Sequence, residues 1–171
     1  FLDYSGGVYA DFWCHIADVV FWALDPGDLK TVKADGKASE GAGDTPEWIN
    51  VSFNFDFLDI FWTSTPPEIP GAAERSIGAY FEGDKGTLLC DYYSMEIRLN
   101  GETLEDVPEI PKTISRSPGH QQNFVDAVKN RTQPESNLEY VRKMTLPMHL
   151  GLISWRLGRK LKWDSKNEQF R

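Results

Sequence analysis

The chain has 171 residues, 40% hydrophobic and 26% charged, which fits one globular domain long enough to bury a sizeable core. Its formal net charge of −8 excludes the basic face that nucleic acid or an anionic membrane surface requires, so neither is an expected partner. Two cysteines supply neither a disulfide framework nor a paired metal-ligand spacing. Cys14 and Cys90 are therefore expected to be buried thiols, with the compartment open and cytoplasm favoured over periplasm.

The chain begins Phe1-Leu2-Asp3-Tyr4 without an initiating Met, as a piece of a longer protein would. Residues 8–24 are apolar nearly all round, the pattern of a helix buried on most faces. Gly6-Gly7 lead into this helix and Asp25-Pro26-Gly27-Asp28 end it. Asp11, His15 and Asp18 interrupt it at spacings of four and three, which puts them on one stripe and makes the segment a poor membrane span. Two carboxylates around an imidazole are costly inside a buried helix unless they have partners or a task. The stripe is the candidate active site.

Residues 29–34 alternate as a strand, and 35–46, rich in Gly, Ser and acidic residues, read as a solvated loop. In 48–56, Ile49, Val51, Phe53 and Phe55 share one face and Asn50, Ser52, Asn54 and Asp56 the other, a half-buried strand. Its hairpin partner is expected over 58–65, with the turn near Asp56-Phe57. Three more strands are expected over 77–82, 87–92 and 96–100, with turns at Gly83-Asp84-Lys85-Gly86 and Asn100-Gly101.

Three prolines make 103–118 an extended connection. Helical spacing follows over 119–130 and 136–157, where Pro147 should kink or split the second helix and Gly158 should end it. A last short strand is expected over 160–164. Strands grouped together with helices at the ends predict an α+β fold, an open and mainly antiparallel sheet with helices on one face. The aromatic strands (Phe53, Phe55, Phe57, Phe61, Trp62, Tyr80, Phe81) suggest a second face needing cover, hence a homo-oligomer through the sheet.

Gly6-Gly7-x-x-x-Asp11-x-x-x-His15-x-x-Asp18 resembles the start of the C-terminal domain of Gfo/Idh/MocA oxidoreductases, NAD(P)-dependent sugar and polyol dehydrogenases. Three further stretches fit the same family: Phe81-Glu82-Gly83-Asp84-Lys85-Gly86-Thr87-Leu88, Asn123-Phe124-Val125-Asp126-Ala127-Val128 with Arg131-x-x-Pro134, and the run from His149 to Asp164. The similarity extends over almost the whole chain, in order, and is to the version common in bacterial genomes. It implies a single substrate-binding and oligomerisation domain over 1–171, with an open antiparallel sheet. The family's N-terminal Rossmann domain, which holds NAD or NADP, and its Glu-Lys-Pro motif have no counterpart here. No Gly-x-Gly-x-x-Gly follows a strand, so the chain alone is expected to bind no dinucleotide and to catalyse nothing.

By that resemblance Asp11 and His15 stand at catalytic positions for a secondary-alcohol oxidation, in which a hydroxyl proton must be removed. Which of them is the base is not assigned, since the family's lysine shares the task. The competing reading is an Asp–His pair that only stabilises the helix. Asp18, Trp13, Arg116 and His120 are substrate-binding candidates: Asp18 by orienting the imidazole, Trp13 (with Tyr9 and Trp22) as an aromatic face, and Arg116 and His120 at a helix start. Trp13, Arg116 and His120 each have a plainer structural or surface role open to them, and His149 reads as a core histidine. Three scattered histidines and unpaired cysteines give no metal-ligand set. The rival functions are an NAD-dependent glycoside hydrolase of the same architecture and a non-catalytic binding module.

Overall fold

The strict alternation around Val51 organises the fold. In the computed structural model, which describes residues 1–171, this stretch is β2 (Pro46–Phe55), with Ile49, Val51, Phe53 and Phe55 buried and Asn50, Ser52 and Asn54 exposed. On one side β2 pairs antiparallel with β3 (Asp59–Thr63), closing the expected hairpin. On the other it pairs with β1 (Leu29–Ala38), four residues longer than its alternation announced. Asp35 and Gly36 are weak strand formers, yet Asn50 and Ile49 opposite them extend the ladder through the expected loop.

β8 (Leu161–Asp164) joins the free side of β1, and β9 (Gln169–Phe170) adds a short edge, giving the order β3-β2-β1-β8-β9. A second sheet is separate: β4 (Ala79–Gly83), β5 (Gly86–Cys90), β6 (Met95–Leu99) and β7 (Glu102–Thr103), in sequence order. The chain is thus α+β with antiparallel pairing, but it has two sheets where one was expected. Its turns lie where the glycines predicted: Gly83 faces Gly86 across the β4–β5 turn, and Asn100-Gly101 joins β6 to β7, both at positive φ.

Three helices complete the fold: α1 (Gly7–Ala23), α2 (His120–Asn130) and α3 (Leu138–Leu157). α1 and α3 lie on the inner face of the large sheet and share one core, in which Tyr9, Trp13 and Phe21 meet Val32, Val51, Phe53, Met144, Met148 and Leu161. Trp13 is its centre, wholly buried, edge-on to Phe53 and donating Nε1–H to the Met144 carbonyl at 2.8 Å. Truncating such a residue to Ala typically costs about 3–5 kcal/mol.

Pro147 sits inside α3 without splitting it, and the helix ends at Gly158 in the left-handed conformation, φ 61°. Gly151 lets α1 and the sheet close on α3: a Cβ there would lie 2.6 Å from the Tyr9 hydroxyl and 3.2 Å from Val51. Ser154, fully buried, ties α3 to β1 by accepting from the Ala34 amide at 3.0 Å and donating to the Arg159 carbonyl at 2.7 Å. Beyond Val32 the short β8 no longer pairs with β1, which is why that amide needs a side-chain acceptor.

The outer face of the large sheet presents Lys33, Asn50, Ser52, Asn54 and Lys162, with Phe61 the aromatic exception. Phe53, Phe55 and Trp62 turn inward to the core, whereas Phe57 and Phe61 stay exposed. No helix is long and apolar enough to cross a membrane.

Candidate functional site

α1 is not buried on most faces. Tyr9, Trp13, Ile16, Ala17 and Phe21 form its docked stripe, while Val8, Asp11, Phe12, Cys14, His15 and Trp22 are exposed. An all-round apolar pattern records only that many positions avoid charge; which of them are covered depends on what packs there. Here one face is open, with Val8 at 69% and Trp22 at 63% exposure. Asp11 and His15 stand on that face one turn apart, beside the apolar side chains of Val8 and Phe12.

Asp18 diverges from the other two. It is half-buried, and its Oδ1 accepts from the Tyr140 hydroxyl of α3 at 2.6 Å. Burial, then the hydrogen bond to Asp18, hold the Tyr140 phenol well above the usual tyrosine range. Asp18 is thus engaged in a tie between helices. Cys14, expected buried, is exposed, and Cys90 is half-buried. Partial desolvation pushes the Cys14 thiol up, and the carboxylates of Asp18 and Asp11 push it the same way.

Trp13 leaves the list of substrate contacts: it is fully enclosed and its indole N–H is spent on Met144. His149 is exposed on α3, not in the core. Arg116 and His120 are exposed, the first in the extended connection and the second at the start of α2. α2 buries only Ala127, so the fold does not gather these two residues onto the Asp11–His15 stripe.

The residue the sequence reading missed is Tyr92. The β5–β6 turn sets its ring 6.4 Å from the His15 ring, nearly perpendicular, with its hydroxyl donating to the His15 carbonyl at 3.3 Å. Phe12 flanks His15 on the other side at 5.8 Å. The available signal was Asp91-Tyr92-Tyr93-Ser94, an Asp with a Ser three residues on, framing two aromatics in an Asx turn. Asp91 accepts from the Tyr93 amide at 2.8 Å and the Ser94 amide at 2.7 Å, and these bonds hold its carboxyl below the usual range.

No three His, Cys, Asp or Glu side chains converge to hold a metal ion. Every strand pairing is antiparallel, so the chain contains no βαβ unit of the kind that cradles a dinucleotide. A cleft of about 250 Å³ lies on the small sheet, lined by Tyr80, Thr87, Leu89, Glu96 and Arg98, none of which is on α1. The Asp11–His15 face is an open wall that can hold or move a proton at the imidazole and accept hydroxyl hydrogen bonds at Asp11.

The family model for the oxidoreductase family C-terminal alpha/beta domain, of the Gfo/Idh/MocA group, matches residues 1–171. Among solved structures, similar ones include an oxidoreductase from Agrobacterium radiobacter in complex with NAD+, L-tartaric acid and magnesium. It shows 14% identity and a TM-score of 0.58 over 85% of this chain and 46% of that one. An NAD-binding protein from Listeria innocua shows 17% identity and a TM-score of 0.57 over 89% of this chain and 50% of that one. At such identities the likeness is one of fold, and the chain spans about half the length of these relatives. No curated protein matches.

Proposed function

The chain belongs to the Gfo/Idh/MocA oxidoreductase family, as its C-terminal alpha/beta domain, and from that premise we propose that it is the substrate-side half of an NAD(P)-dependent sugar or polyol dehydrogenase. The observation supporting this is the open face of α1, where Asp11 and His15 are exposed among apolar side chains of a helix otherwise locked into the core. A dinucleotide-binding domain docked over that face would cover Val8 and Trp22 and enclose Asp11 and His15 with the substrate. The dinucleotide, held by that other domain, supplies the hydride acceptor.

His15 takes the hydroxyl proton of the substrate alcohol. Asp11, one turn earlier, accepts a hydrogen bond from a substrate hydroxyl and favours the charged imidazole. Asp18 stays with Tyr140 and holds α1 against α3.

Cys14 lies on the same open face, which gives a test independent of the catalytic residues. In the full-length protein, maleimide labelling of Cys14 should abolish turnover, substrate with dinucleotide should slow the labelling, and Cys14→Ser should be active and resistant. Full turnover by the labelled protein would mean that this face does not meet the substrate.

A further inference from the structure

The small sheet is sparingly joined to the rest of the molecule. Its span, residues 66–104, is entered through Pro66, Pro67 and Pro70 and left through Pro108, Pro111 and Pro118. One hydrogen bond leaves that span, from the Tyr92 hydroxyl to the His15 carbonyl at 3.3 Å. β4 packs on α1, but every other hydrogen bond and every ion pair of residues 66–104 is internal to them. The small sheet is therefore fastened to α1 at the residue to which proton transfer is assigned.

That contact also confines the His15 ring. Tyr92 stands nearly perpendicular to it at 6.4 Å, and Phe12 flanks it at 5.8 Å. An exposed side chain normally samples several rotamers, and a ring beside it from each of two elements narrows that choice before a substrate arrives. Tyr92 is held by its own turn. Asp91 accepts from the Tyr93 and Ser94 amides and from the Ser94 hydroxyl at 3.1 Å. Arg75 donates to the Gly71 carbonyl at 2.7 Å and to the Ser94 hydroxyl at 3.1 Å, and its Nε lies 3.1 Å from Asp91 Oδ2 in an ion pair. The side chains of that pair are only 14% and 15% exposed. Enclosing two charges is costly, and the Asx turn closes without Arg75. What the pair adds is a fixed attitude of the turn toward α1.

We propose that Tyr92 is a positioning residue for His15, and that the enclosed Arg75–Asp91 pair acts on His15 through it. The inference rests on the assignment of proton transfer to His15. Tyr92 bonds the carbonyl of the same residue whose ring it flanks, so it fixes backbone and side chain together. A displacement of about 1 Å at a reacting group is enough to cost about 10²-fold in rate. Loosening the small sheet therefore slows the chemical step and leaves substrate affinity where it was. Arg75 bonds to no residue of α1, so its effect on the site passes through the turn.

The test uses the full-length protein in two arms, NMR of the His15 ring and steady-state kinetics with NAD+ and D-glucose or D-glucitol, whichever is oxidised faster. In the parent, the His15 ring protons should show nuclear Overhauser contacts to the rings of Phe12 and Tyr92. In Tyr92→Phe and in Arg75→Met the contact to ring 92 should weaken at least threefold. Both should lower kcat about fivefold to tenfold with KM held within about twofold. Because Arg75 acts through Tyr92, the double variant should lose no more than the larger single loss. Tyr92→Phe removes one hydroxyl from a half-exposed ring and keeps the fold. Ser94→Ala, which removes the exposed hydroxyl bonded to Arg75, replaces Arg75→Met should that variant not fold, and should lower kcat at least about twofold. Unweakened contacts, full kcat, a raised KM at constant kcat, or additive losses would overturn the inference. If neither sugar is turned over, the NMR arm decides. Full turnover in His15→Ala would remove the assignment to His15 itself, whereas an inactive His15→Ala beside a fully active Tyr92→Phe would remove only the positioning role.

Discussion

Replacing Asp18 with Ala asks whether this carboxylate serves the fold or the substrate. The Tyr140 hydroxyl donates to it at 2.6 Å, a charge-assisted hydrogen bond between α1 and α3. Such bonds contribute about 1.5–3 kcal/mol, and the partial exposure of both residues points to the lower end, about 1.5 kcal/mol. For a chain of 171 residues, unfolding entropy of about 2.1 cal/mol/K per residue turns that into a Tm loss of about 4 °C.

Tyr140→Phe should lose a similar amount, and the double variant little more than either alone, a coupling of about 1.5 kcal/mol measured by urea unfolding. The fold holds the Tyr140 phenol protonated, so its stabilisation is complete below the ordinary tyrosine value near 10 and declines as pH rises above it. That alkaline slope should flatten in Tyr140→Phe. Additive losses, with a coupling below about 0.3 kcal/mol, would refute the tie and return Asp18 to the substrate side.

Ser154→Ala should cost about 1–3 kcal/mol, because it orphans the buried Ala34 amide, and faster hydrogen exchange at Ala34 should accompany the lower Tm. Tyr9→Phe should be neutral or raise stability by about 1 kcal/mol, since the buried Tyr9 hydroxyl has no partner; a Tm loss of several degrees would show that it does. Asp164 accepts from the Asn167 side chain and amide and from Arg171, which holds its carboxyl at about 2, below the ordinary aspartate value. Its stabilisation is therefore present above about pH 4 and lost as pH falls toward 2. The urea midpoint should drop through that window in the parent and be flatter in Asp164→Ala.

The large sheet was legible because its strands bury one face only. The Ile49-Val51-Phe53-Phe55 alternation states both the strand and its inward side. Asn100-Gly101 marked the β6–β7 turn, and Gly158 the end of α3, because each of these positions takes a positive φ that the residue type makes readable locally. The division into two sheets was not legible, since it depends on which strand edges meet and not on any strand's own pattern. α1 shows the same limit: its composition could not distinguish a core helix from one with a docked and an open face. The placement of Asp11 and His15 follows from helical spacing alone, whereas the neighbouring Tyr92 arrives from a turn 77 residues on, and the Asp18–Tyr140 bond spans 122.

The most direct measurement is His15→Ala in the full-length protein, reading turnover and Tm together. His15 is exposed on the open face of α1, outside the buried core cluster. The account predicts a fall in kcat of about 10²–10⁴ with Tm changed by under about 1 °C. Retained kcat, or a loss of activity matched by a loss of fold, would contradict it.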